Sequence, residues 1–202
     1  MSNDWLISLG FCLVAYLSGS LPFSIWITRL ILGVDVRDGG SGHATTTNTV
    51  RQVGFAAGAV VLLLDLAKGF IPTYLALHYA PFPWVAPVVA GLVVVGHCWP
   101  VFAGFRGGMG LASAGASLLA VQYSYALIGL AFLIVLVLVI RHSAKAAFFA
   151  GLLMGPLMML IGASQLLVWA SFAVGVVVAV RFLSDWNRHY KELWLDRDLD
   201  QA

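Results

Sequence analysis

The sequence predicts an all-α polytopic membrane protein: seven transmembrane helices, the amino terminus extracytoplasmic and the carboxyl terminus cytoplasmic. Three observations carry that fold class. Of 202 residues, 61% are hydrophobic and 10% charged, with a mean hydropathy of +0.94, whereas a soluble domain carries about 25% charged residues. Apolar runs approach the roughly 20 residues that cross a hydrocarbon core, and they recur along the chain. The basic residues, finally, gather at alternate connections. This composition excludes a conventional soluble enzyme, a nucleic-acid reader and a disordered chain. A formal net charge of +2 gives no reason to expect a polyanionic partner.

The first run, Trp5 to Leu32, has no Lys or Arg before it and continues past Ser18-Gly19-Ser20, so it reads as a retained span and not a cleaved leader. Pro22 removes a helix hydrogen bond and predicts a kink there. The remaining runs are Phe55 to His78, Trp84 to Phe102, Leu111 to Val121, Ala126 to Ile140, Ala146 to Gly162 and Leu166 to Phe182. The fourth and fifth are short and divided only by Gln122 to Tyr125, so one long bent element is the alternative. Charge placement decides for seven. Arg29, Arg37, Arg51, Arg106, Arg141, Lys145, Arg181, Arg188, Lys191 and Arg197 all fall on one side, Lys68 being the exception, and the opposite connections contain no Lys or Arg. Residues 1–183 thus read as one transmembrane domain. Residues 184–202 read as a cytoplasmic amphipathic tail carrying Trp186, Tyr190, Leu193 and Trp194.

Four polar constellations interrupt the apolar pattern. In Gly33 to Asn48, glycines allow backbone N–H groups to converge on an anion, hydroxyls add donors, and Arg37 supplies a planar fork suited to phosphate. The plainer reading is a surface loop in which Thr47 or Asn48 caps the next helix. His97 precedes the glycine-rich turn Gly104 to Gly110 with Arg106 in it; this could meet an anion or a proton, or merely let helices pack while Arg106 reaches the interface. Asp65 and Lys68, three residues apart, offset each other's cost inside a span. Ser18 to Pro22 reads as a kinked packing site. Cys12 and Cys98 lie in apolar runs and form neither a zinc spacing nor a disulfide framework, so no metal site is expected.

These segments resemble, in order and spacing over residues 18–120, the bacterial integral-membrane acyl-phosphate:glycerol-3-phosphate acyltransferases. The family patterns GS-I-P-F, GVDIRE-x-GSGNxGATNVxR, LLLD-x-x-KG and GH-x-x-PVF-x-x-FKGGKGVAT read here as Gly19 to Phe23, Gly33 to Arg51, Leu62 to Gly69 and Gly96 to Ser113. The resemblance implies transfer of an acyl chain from acyl phosphate to glycerol 3-phosphate. Lysophosphatidic acid and inorganic phosphate form without coenzyme A or any cofactor. It implies a multi-pass protein of the bacterial cytoplasmic (inner) membrane, in contact with membrane lipid, its site facing the cytoplasm.

By that resemblance Arg37, Gly40, Ser41, Gly42, Thr47, Asn48, Gly107, Gly108 and Gly110 hold phosphate. His43, His97, Arg106 and Asn187 serve the chemistry, with His43 or His97 moving the proton, and Ser20, Asp65 and Lys68 support them. Departures from the pattern are specific. His43 stands for the Asn after GSG, and Arg106 and Met109 stand for the two lysines of KGGKG. A tail pattern Arg-His-x-x-Asn, laid on Leu183 to Asn187, retains Asn187 and puts Ser184 at the histidine. They leave as alternatives another phosphorylated acceptor, or a non-catalytic lipid-binding or transport homologue.

Overall fold

The computed structural model describes residues 2–188, so the rest of the expected tail, with Tyr190, Leu193 and Trp194, lies outside the described residues. Every regular element described is helical: α1 Ser2–Gly19, α2 Phe23–Leu32, α3 Thr46–Gln52, α4 Phe55–Tyr79, α5 Val85–Cys98, α6 Leu111–Val121, α7 Tyr123–Ile140, α8 Ser143–Leu160 and α9 Gln165–Leu183. Short 3-10 turns follow α2 and α5, at Val36–Asp38 and Val101–Ala103.

Among the described residues six segments are long and apolar enough to cross a bilayer: Asn3–Leu32, Phe55–Tyr79, Val85–Ala103, Tyr123–Ile140, Ser143–Leu160 and Gln165–Leu183. The remaining expected span, fourth in order, is α6, and it is short. Its 11 residues extend about 16 Å at 1.5 Å each, roughly half of a hydrocarbon core. It is nonetheless a separate helix and not the front half of a bent one, because Gln122 is extended (φ −164°) between α6 and α7. The connection expected over Gln122 to Tyr125 shrinks to Gln122 alone. The first span is also more interrupted than a kink. Gly19 ends α1, Pro22 stands before α2 with no N–H to offer, and the chain turns between them.

Packing follows side-chain size. Helix α5 lies centrally against α1, α4 and α9, its span 67% buried against 6% for α7. Outward-facing leucines and valines, among them Leu6, Leu30, Leu63, Val139 and Leu160, give the bundle an apolar exterior that suits lipid chains. The closest crossings use glycine: the Cβ position of Gly69 on α4 is taken by the Ser113 backbone of α6, and Gly151 of α8 meets Gly175 of α9 backbone to backbone.

The connections 33–54 and 99–110, the turn before α8 and the end of α9 come together at one end of the bundle. Ala44 N–H donates to the Gly107 carbonyl at 3.3 Å, and Ser41, Gly110, Ser143 and Phe182 line one cavity.

Candidate active site

The loop from Gly33 to Gly54 is wound around Asn48, whose side chain is fully buried. The Asn48 Oδ1 accepts from Ser41 N–H at 3.1 Å, and its amide donates to the carbonyls of Val36 (2.7 Å), Gly39 (3.1 Å) and His43 (3.1 Å). Gly40 takes φ +56° so that the chain can wrap this close; a Cβ there would strike Asn48. The cap of α3 is Thr45, whose hydroxyl accepts from Asn48 N–H at 3.2 Å, rather than Thr47 or Asn48.

Arg37 is equally committed. Its Nε and Nη2 fork onto the Asp35 carboxylate at 2.9 and 2.8 Å, while Nη1 donates to the carbonyls of Ala103 (2.8 Å) and Arg106 (3.0 Å). The Arg37 guanidinium holds the Asp35 carboxyl down at about 2 despite partial burial, and Arg29 at 2.6 Å adds to the pull. Arg37 therefore ties the first loop to the 99–110 turn, so its charge is spent on Asp35.

A second stitch joins the first loop to the end of α9. His43 Nε2 lies 2.7 Å from Asp185 Oδ2, and Arg181 Nη2 reaches His43 Nδ1 at 3.1 Å. Arg181 also donates through Nε to the Gly108 carbonyl at 2.8 Å and through Nη1 to Ser184 at 3.1 Å. Arg188 donates to the Ser41 carbonyl at 2.5 Å.

Between these stitches opens a cavity of about 460 Å³. Its polar wall includes Ser41, His43, Thr47, Arg51, Asp65 and His97, and its apolar wall continues through Met109, Leu111, Leu133 and Phe182. Leu111 and Leu133 are shared with a smaller apolar pocket of about 100 Å³ between α6, α7, α8 and α9. At the cavity's inner edge Lys68 Nζ pairs with Asp65 at 2.8 Å and donates at 3.0 Å to the Leu21 carbonyl in the break before α2, which the Phe23 N–H also reaches. His97 is buried with Nδ1 3.7 Å from Asp65 Oδ1 and no hydrogen-bond partner among the described residues. Its ring leaves no room for a Cβ at Gly108, which accounts for that glycine.

One end of this cavity is polar and cationic, the other greasy, as a site for a phosphorylated head and an acyl tail requires. The family model for glycerol-3-phosphate acyltransferase matches residues 9–192. The chain belongs to the glycerol-3-phosphate acyltransferase family. A glycerol-3-phosphate acyltransferase of Roseiflexus is 36% identical over 91% of both chains, and one of Rubrobacter xylanophilus 42% identical over 67% of both. The relative in Myxococcus xanthus is 48% identical, but the match spans 50% of this chain and about half, 54%, of that protein. Among solved structures, PlsY, an integral membrane glycerol 3-phosphate acyltransferase in its glycerol 3-phosphate form, superposes with a TM-score of 0.78 at 32% identity over 90% of both chains. Its lysophosphatidic acid form gives 0.75 at 30%.

Within this acyltransferase family member, the expected site residues separate into groups. Ser41, His43, Thr47, His97, Gly110 and Asp65 meet at the main cavity. Gly107, Gly108 and Lys68 line the narrow space of about 10 Å³ beside it, which Asp65 and His97 also touch. Arg37, Gly40, Gly42 and Asn48 shape the loop without lining the cavity, and Ser20 bonds back to its own helix at the Tyr16 carbonyl, 2.8 Å away. The Arg106 side chain and Asn187 are exposed and outside the cavity. Four residues were missed: Arg51, one helical turn after Thr47, and Arg181, Asp185 and Arg188. Spacing holds the signal. With the tail pattern's Arg placed on Arg181, its Asn falls on Asp185 and its His on Phe182, and those two turn inward while Asn187 does not.

Proposed function

We infer that this protein acylates glycerol 3-phosphate to lysophosphatidic acid for phospholipid synthesis, and we propose acyl phosphate as the donor. The observation that carries the reading is one cavity whose polar wall of Ser41, His43, Thr47 and Arg51 runs directly into the apolar wall of Leu111, Leu133 and Phe182. The glycerol 3-phosphate anion sits at the Arg51 side, within reach of hydroxyl donors. The donor's carbonyl lies at the junction, and its chain extends toward the pocket between α6 and α9. Catalysis is then chiefly positioning of the hydroxyl against the carbonyl, with cations and N–H groups stabilising charge on the carbonyl oxygen and departing phosphate. His97 at the end of α5 and Arg106, Gly107, Gly108 and Gly110 in the turn that follows border the donor, and Asn187 serves at its rim.

The orientation goes with this reading: seven membrane elements with α6 counted, the amino terminus outside, and the polar end facing the cytoplasm of a bacterial inner membrane. Basic residues concentrated at that end support it, as Lys and Arg favour the cytoplasmic side. Residues 1–183 act as one transmembrane unit, and the tail from residue 184 belongs to the cytoplasmic side.

Purified protein given palmitoyl phosphate and labelled glycerol 3-phosphate forms labelled lysophosphatidic acid and inorganic phosphate. Palmitoyl coenzyme A in place of the donor gives none. Absence of product above a no-protein control with either donor overturns the activity, and product from palmitoyl coenzyme A alone overturns the donor.

A further inference from the structure

We propose that Trp186 is a positioning residue for glycerol 3-phosphate binding: clasped by α8, it holds Asp185 and Arg188 against the first loop and so keeps the wall of Ser41 and His43 in its receiving shape. The proposal rests on the acyl transfer proposed above. Composition alone assigns Trp186 to a tail face that lies at the headgroup level. The structure turns it onto the first turns of α8 instead.

The clasp has three parts. The Trp186 ring meets Phe148 edge to face, with centroids 5.1 Å apart at 88°, and Phe149 at 6.0 Å and 63°. Lys145 Nζ lies 5.6 Å from the ring centroid. Edge-to-face pairs and a cation over a ring are directional, so they fix the orientation of the indole and not only its burial. The platform beneath is firm, because Gly151 of α8 meets Gly175 of α9 backbone to backbone.

What the clasp holds lies on either side of it in sequence. The chain leaves α9 in a tight turn: Asp185 N–H donates to the Phe182 carbonyl at 3.1 Å, Trp186 N–H to Leu183 at 3.3 Å and Arg188 N–H to Asp185 at 2.9 Å. Asp185 Oδ2 lies 2.7 Å from His43 Nε2. Arg188 Nη2 donates to the Ser41 carbonyl at 2.5 Å, and its Nη1 lies 3.1 Å from the same His43 nitrogen. The backbone of Ser41 is thereby gripped from both sides, its N–H by Asn48 at 3.1 Å within the loop and its carbonyl by Arg188 from the tail. The Arg188 side chain is 43% exposed. A long side chain half in water gains little from holding one geometry, so this second grip depends on a fixed backbone, and Trp186 fixes it. Ser41 and His43 of the first loop, Ser143 at the start of α8 and Phe182 of α9 line one cavity, and the clasp ties these three parts of its wall together.

Without the indole, the wall takes its receiving shape for only a fraction of the time, and the apparent affinity for glycerol 3-phosphate falls by that fraction. Bound substrate restores the wall, so the rate at saturation persists. The donor's chain, placed between α6 and α9, does not depend on it.

The test is steady-state kinetics with palmitoyl phosphate and glycerol 3-phosphate, with thermal unfolding in detergent as the folding control. Trp186→Ala raises KM for glycerol 3-phosphate about tenfold, while kcat and KM for palmitoyl phosphate stay within about threefold. Trp186→Phe keeps an edge toward Phe148 and recovers most of the loss. Asp185→Ala with Arg188→Ala raises the same KM, and adding Trp186→Ala to that pair changes it by less than about twofold, because the grips are already gone. Should Trp186→Ala not fold, Phe148→Ala removes the clasp from the α8 side and raises the same KM. A folded Trp186→Ala or Phe148→Ala with unchanged KM, whatever its unfolding temperature, leaves Trp186 a membrane-surface or stability anchor and overturns the proposal. A full tenfold rise on top of the Asp185 and Arg188 pair overturns the route through them. Wild-type protein without any product overturns the acyl-transfer reading instead, which the same experiment registers separately.

Discussion

Asn48 and Arg37 show why single residues in a glycine-rich loop mislead. Amide, guanidinium and hydroxyl groups recognise phosphate and backbone carbonyls by the same hydrogen bonds, so the sequence pattern fits either use. Burial separates them: Asn48 is wholly enclosed by its own loop. Its removal is graded by what it leaves unpaired. The carbonyls of Val36 and Gly39 keep Gln52 as donor, and that of His43 keeps Thr45 N–H, so the Ser41 N–H loses the most. Asn48→Ala should therefore cost roughly 1–3 kcal/mol of stability. Asn48→Asp should cost more, because it sets an anion against three carbonyls. Thermal unfolding of the two variants checks the order; an aspartate variant as stable as wild type contradicts the account. For Arg37→Lys, a point ammonium cannot replace a fork that also bonds two carbonyls, so activity should fall although the charge is kept. The pH behaviour is specific as well. The Asp35 carboxyl sits below its ordinary value, so its pairing with Arg37 is complete above the usual carboxylate range and is lost only as pH falls toward about 2. Rates measured between pH 5 and 7 should not register this pair, and a loss there in wild type that Arg37→Lys abolishes would show otherwise.

At the scale of elements, apolar run length read the bundle well: α4, α5, α8 and α9 lie within a few residues of their expected bounds. What length could not show was where helices stop inside a run. The stops at Gly19 and at Gln122 arise from local backbone geometry, Pro22 withholding an N–H after the first and Gln122 turning extended at the second, while the Val93 backbone of α5 at its Cβ position accounts for glycine at 19. The break before α2 has an energetic partner on α4. Lys68 is 4% exposed, neutralises Asp65 and adds a second donor to the Leu21 carbonyl in the break, beside the Phe23 N–H. Lys68→Met leaves a buried, uncompensated carboxylate, and removing one partner of a buried pair costs about 3–5 kcal/mol. Asp65→Leu with Lys68→Met removes both charges and should recover most of that loss, since the Leu21 carbonyl keeps the Phe23 N–H at 3.1 Å. Unfolding midpoints in one detergent compare the two. A double variant as unstable as Lys68→Met would mean that the charge pair is not the source of the effect.

Across the whole molecule, the site exists only because connections far apart in sequence close on one end of the bundle. The sequence made that end legible through its basic residues, but not the meeting of His43 with Asp185, 142 positions away. Such a contact has no local signal; it depends on α9 ending beside the first loop. The same closure joins the polar cavity to the pocket between α6 and α9, through Leu111 and Leu133. Gly129 of α7 lines that pocket opposite Met154 of α8, whose flexible end lies 3.1 Å from where a Cβ would stand. Because α7 is otherwise scarcely buried, Gly129→Leu can be accommodated by a shift of Met154 and α7, so the fold should survive while the pocket fills. The far end of a long acyl chain then loses its place, and a short chain that stops at Leu111 and Leu133 does not. One displaced methylene is worth about 0.8 kcal/mol, so losing three or four should lower kcat/KM for palmitoyl phosphate by roughly a hundredfold relative to octanoyl phosphate. Competition between the two donors in one reaction gives the ratio directly. An equal fall for both would place the chain elsewhere, along the lipid-facing side of the bundle.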